Sequence, residues 1–73
     1  MDKTIFTKQH KYIVSQLKKA RQEAGLTQVQ AAELLKCPQS YISKVEAGQH
    51  RIDVVQLQEF ARIYKKKLGF FIK

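Results

Sequence analysis

The stretch that most constrains how this chain folds is Thr27 to Gly48, TQVQAAELLKCPQSYISKVEAG. It predicts two short helices joined by a tight turn. Thr27 has a short oxygen side chain suited to capping the free N–H groups at a helix start. Residues 28–35 contain neither Gly nor Pro, and Ala31, Ala32 and Leu35 fall on neighbouring helical positions. Pro38 cannot continue that helix, but its missing N–H is no loss at or just before the start of the next. Gln39 to Glu46 forms the second helix, with Ile42 and Val45 on its inner side. Gly48 ends it, because glycine takes the left-handed conformation at low cost.

The chain around this unit has 73 residues, enough for one domain with a single small core. Its 44% hydrophobic and 27% charged residues are a globular composition rather than a disordered one. The net charge of +8, from fourteen Lys or Arg against six Asp or Glu, creates a field that attracts polyanions: DNA, RNA or an acidic membrane surface. One cysteine allows neither an internal disulfide framework nor a metal cluster, and Cys37, between two apolar-patterned helices, reads as a small buried hydrophobe. No apolar run approaches the roughly 18 residues of a membrane span. The start, MDKTIFTKQHK, lacks the apolar core of a secretory signal, so the expected location is cytoplasmic, without a membrane partner. Catalysis is not expected. His10 and His50 are the only histidines, no serine sits in a nucleophile elbow, no carboxylates pair at catalytic spacing, and no cofactor or metal is called for.

In chain order, residues 1–8 form a polar, basic arm. Either it frays, or Ile5 and Phe6 pack on the core, or Lys3 and Lys8 reach along a nucleic-acid backbone. The domain proper covers 9–68. A first helix runs from about Lys8 to Ala24, capped by Thr7, with Ile13, Leu17, Ala20 and Ala24 as its apolar stripe. Gly25 stops it and Leu26 folds back as the apolar residue of the closing motif. After the polar loop Gln49-His50-Arg51, Asp53 caps a last helix whose inner stripe is Val54, Leu57, Ala61 and Tyr64, flanked by Phe60 and Ile63. Lys65, Lys66 and Lys67 place positive charge at its carbonyl end, where the helix dipole favours it. Residues 69–73 form a C-terminal segment. Gly69 lets a short turn dock Phe71 and Ile72 on the core, or the run is an extended edge that pairs with a second copy.

AGLTQ at 24–28, Ala32, Leu35 and PQSYISKVEAG at 38–48 together resemble the Cro- and phage-repressor-like (XRE-like) helix-turn-helix family. The resemblance implies an all-α, compact four- to five-helix repressor-like domain whose second motif helix enters the major groove. It carries base reading onto Gln39, Ser40, Ser43 and Lys44. Glutamine can bond an adenine in two places, lysine can donate to guanine, and serine bonds permissively. Backbone contacts fall on Thr27 and Gln28, at the exposed start of the first motif helix, and on Gln49, His50 and Arg51. Tyr41, at the edge of the reading face, either meets a phosphate or is a half-buried core tyrosine. The resemblance also implies an ion pair between Arg21 and Glu46 that locks the first and third helices together. Pro38, where a serine or threonine cap is common, and Ala47, where a polar residue is common, depart from the family pattern. The implied partner is double-stranded DNA, bound by a homodimer on a near-palindromic site as a transcriptional repressor. The alternative is an antitoxin or restriction-modification controller that also binds a toxin or other protein partner.

Overall fold

The computed structural model describes residues 7–72, so the expectations for Lys3, Ile5 and Phe6 lie outside the described residues. Four helices follow one another: α1 (Lys8–Glu23), α2 (Gln28–Leu35), α3 (Gln39–Glu46) and α4 (Val54–Tyr64). A short 3-10 turn, Leu68–Phe70, follows them. Among the described residues there is no strand.

Local chemistry sets these boundaries. Thr7 Oγ1 accepts from the His10 amide at the start of α1, and Lys8 is already helical. Thr27 with Gln30, and Asp53 with Gln56, close reciprocal capping boxes at α2 and α4, each satisfying two backbone donors that a helix start would leave open. Each of these helices ends in the same way, with a left-handed residue whose own N–H, and that of the residue after it, return to the last turn. Gly25 and Gly48 do this at φ of 73° and 78°, Lys36 and Lys65 at 57°. After α1, for example, Leu26 N bonds Arg21 O at 3.1 Å and Gly25 N bonds Gln22 O at 3.0 Å.

The helices pack around Leu17, Ile42, Val45, Phe60 and Phe71, each essentially shut off from solvent. Burying side chains of this size contributes about 1.5–3 kcal/mol apiece. The small Ala20, Ala31 and Ala32, also buried, let α1, α2 and α3 approach closely. The α2 and α3 helices pack directly on one another, with α1 against α3 and α4.

Several side chains differ from their expected places. Ala24 is the exposed C-cap of α1, and the inner stripe instead begins with the buried His10. Val54 is 58% exposed because the first turn of α4 has not yet reached the core. Cys37 is half-buried against the core rather than fully enclosed, and burial still pushes its thiol pKa up. Lys66 does more than complement a dipole. It bonds Glu23 at 2.7 Å and lies 4.7 Å from the centre of the Phe70 ring, tying the end of α4 to α1 and to the C-terminal turn. The C-terminal run docks. Phe71 is fully buried, Gln16 Nε2 donates to Phe70 O at 3.0 Å, and Ile72 stays 40% exposed.

Candidate nucleic-acid interface

The α3 helix has two sharply different sides. Ile42 and Val45 are completely buried, whereas Gln39, Ser40, Ser43 and Lys44 are all exposed. Helical periodicity produces this division, because positions 42 and 45 are adjacent on one face and 39, 40, 43 and 44 lie around the other. Pro38 is the N-cap residue, in extended conformation and without a side-chain hydrogen bond, so α3 starts in register despite lacking a serine or threonine there.

What fixes α3 in orientation is a polar network on Glu46. Arg21 Nε donates to Glu46 Oε2 at 2.7 Å, and Arg21 Nη2 donates to Oε1 at 3.1 Å, a two-pronged bond. Arg21 Nη1 also donates to the carbonyl of Leu26 at 2.9 Å. Both side chains are nearly enclosed, at 12% and 6% exposure. The bond from Glu46 raises the Arg21 pKa, outweighing the effect of burial, and the carboxylate's field raises it further. The pair ties the last turn of α1 to the last turn of α3 and to the loop that opens α2.

Gln28 belongs to the same network. Its Nε2 donates to Glu46 Oε1 at 3.1 Å, while its Oε1 accepts from Gln39 Nε2 at 3.5 Å. Its amide is therefore turned inward, toward α3. Thr27 is exposed, with its hydroxyl oxygen engaged by the Gln30 amide.

Tyr41 is half-buried in an aromatic cluster, stacked on Phe60 at 6.2 Å between ring centres and edge-on to His50 at 5.4 Å. Burial raises its hydroxyl pKa, with smaller contributions from Cys37 and Asp53. Gln49 and Arg51 are exposed and His50 is half-buried, so the loop after α3 is braced against the cluster by the imidazole. The structure thus brings Arg21, Gln28, Gln39 and Glu46 into one bonded group. It places Gln49, His50 and Arg51 in the loop that follows α3, just beyond Glu46.

Two features had no signal in the sequence. The Gln28–Glu46 and Gln39–Gln28 bonds join residues on different helices, and no spacing rule predicts them. Lys11 and Lys18 lie along a groove between α1 and the end of α3, although as a sequence pattern they are only the solvated side of an amphipathic helix. Among the described residues no cluster of His, Cys, Asp and Glu could hold a metal ion, and no helix is long and apolar enough to cross a membrane.

Comparison with curated proteins finds no match. The sequence profile of the helix-turn-helix family matches residues 17–71, well over half of the chain, from the middle of α1 through the docked Phe71. Motif, helix order and the matched span agree, and the chain belongs to the XRE-like helix-turn-helix family of DNA-binding, transcription-regulating domains.

Proposed function

We propose that this protein is a sequence-specific transcriptional regulator that acts as a repressor and binds near-palindromic double-stranded DNA as a homodimer. The observation that carries this is the two-sided α3. Its four exposed polar side chains have the chemistry of base readers, and its opposite face is anchored in the core and clamped through Glu46. Gln39 and Lys44 supply discrimination, since bidentate amide–adenine and lysine–guanine contacts distinguish base pairs, and Ser40 and Ser43 add permissive bonds. Thr27, at the start of α2, and Gln49, His50 and Arg51, in the loop that follows α3, hold the sugar-phosphate backbone. Tyr41 supports His50 from within the aromatic cluster, and Gln28 acts through Gln39 as much as on a phosphate. One copy reads only a few base pairs, so two recognition helices about 34 Å apart supply the needed selectivity.

Selection from a pool of random duplexes at two salt concentrations tests this. An enriched near-palindrome, with Gln39→Ala and Lys44→Ala each relaxing particular base positions, is expected. Salt-sensitive binding without any motif would sink the regulator reading. Sedimentation at micromolar concentration, with and without the selected duplex, tests the dimer, and monomer under both conditions would remove it.

A further inference from the structure

A groove of about 380 Å³ runs between α1 and the C-terminal end of α3. Val14 and Ala47 give it apolar walls, His10 lines it, and Lys11 and Lys18 line it as exposed cations. Seven residues apart on one helix, the two lysines stand about 10 Å apart along its axis, so each can meet a different phosphate.

The charges around the groove are not balanced within the protein. Among the described residues Glu23, Glu46 and Glu59 are taken by Lys66, Arg21 and Arg62, Asp53 caps α4, and Glu33 stands on α2, which does not line the groove. No carboxylate among them pairs with Lys11 or Lys18. Glu46 does border the groove, but Arg21 and Gln28 already engage its oxygens. Ser15 is not a free donor, since its hydroxyl bonds the Tyr12 carbonyl at 2.8 Å. The lysines are therefore the groups able to bind an anion there. His10 also lines the groove, and its Nε2 is buried without a hydrogen-bond partner.

We propose that this groove receives a deoxyribose-phosphate stretch of the DNA backbone, with the sugar edge against Val14 and Ala47 and the phosphates at Lys11 and Lys18. It rests on the DNA-binding reading and extends it, adding a wall of phosphate-binding groups from α1 beyond the end of the recognition helix. The negative end of the α3 dipole favours the two lysines here and by itself opposes a phosphate. That opposition is softened by the closing motif, in which Gln49 N and Gly48 N already bond the Lys44 and Val45 carbonyls. A phosphate group is also the chemistry of a free phosphorylated small molecule, and the test separates the two sources.

The double variant Lys11→Ala/Lys18→Ala is compared with the unaltered chain on the selected duplex, on a random duplex and on the selected duplex shortened at its flanks. The expected result is weaker binding by the same factor on the selected and random duplexes, and a salt slope smaller by about two, roughly one for each phosphate no longer neutralised. The difference should vanish on the shortened duplex. Lys11→Arg/Lys18→Arg should restore the slope, and the thermal midpoint should not move. An unchanged slope overturns the proposal, as does a weakened affinity that merely follows a fall in thermal midpoint. Titration with inorganic phosphate, followed by the lysine side-chain resonances, is the second arm. Saturable binding lost in the double variant, with an unchanged DNA slope, assigns the groove to small anions and overturns the DNA source. If Lys44→Ala shifts base preference while the lysine variants change nothing, this inference fails and the regulator stands. If no duplex binds at all, both fall.

Discussion

Replacing Arg21 with methionine is the sharpest test of how α3 is held. The substitution keeps the apolar stem of the side chain but removes the guanidinium and its three donated bonds, two to Glu46 and one to the Leu26 carbonyl. Glu46, 6% exposed, is left with Gln28 as its remaining donor. Orphaning one member of a buried pair costs about 3 kcal/mol, at the low end of the usual range because Arg21 retains 12% exposure. A chain of this size has only about 4–11 kcal/mol in total, so the loss is a large fraction of its stability. It should lower the thermal midpoint by roughly 12–24 °C. Glu46→Met should cost a similar amount. The double variant should cost clearly less than the sum, because apolar groups of similar volume replace a buried pair at little penalty. Urea titration of all four proteins measures the coupling, and raising the salt should change it little, since enclosed charges are weakly screened. The pair Glu59–Arg62, at 51% and 66% exposure, is the control, and Arg62→Ala should cost under about 0.5 kcal/mol. Single variants that each cost less than about 1 kcal/mol, or a strictly additive double variant, would refute the reasoning.

Phe71→Ala should destabilise the chain by about 3–5 kcal/mol in urea titration, because the ring is fully buried near the end of the sequence. Lys36→Gly and Lys65→Gly should each stabilise by about 0.5–1 kcal/mol, since a side chain at φ of 57° is strained in both positions. Gly48→Ala should instead cost about 1 kcal/mol. Nothing lies within 4 Å of the added methyl, so that loss comes from the backbone conformation alone. Cys37, its thiol pKa raised by burial, should alkylate at neutral pH more slowly than the same cysteine in urea, and rates should rise on unfolding.

Much of the fold was legible because its signals are local. Thr7, Thr27 and Asp53 cap the three helices they were expected to cap, and Gly25 and Gly48 close the helices that they follow. Periodicity failed where it was carried to a helix end. Ala24 and Val54 continue an apolar spacing, yet one is a cap and the other precedes the point where α4 meets the core. His10 keeps the spacing of Ile13, Leu17 and Ala20 but reads as polar in the sequence, although an imidazole can be buried as an apolar body. Lys36 and Lys65 take left-handed conformations that sequence marks only when glycine is present. The exposed face of α3 was readable from its motif. The inward turn of Gln28 was not, because it depends on where Glu46 stands in the folded chain.

That inward turn bears on base reading through the polarity of hydrogen bonds. An ionised Glu46 is acceptor-only, so Gln28 must present its Nε2 to it and its Oε1 to Gln39. Gln39 in turn offers Nε2 to Gln28, at 3.5 Å a weak bond but one with a fixed direction. One N–H and the Oε1 of Gln39 remain to face outward. A donor beside an acceptor is the pattern that pairs with the N7 and N6 of adenine. On the proposed role, a charge clamped by Arg21 thus sets the orientation of a base-reading amide two bonds away. Gln28→Leu should then lower the discrimination at the Gln39 base position about twofold, roughly 0.5 kcal/mol for a bond as long as 3.5 Å, while the positions read by Lys44 keep theirs. Binding selections with the variant decide it. Were Gln28 only a phosphate contact, the substitution would weaken every duplex equally, reduce the salt slope by about one and leave the adenine preference intact. That result would mean that Gln39 is oriented by the DNA rather than by the protein.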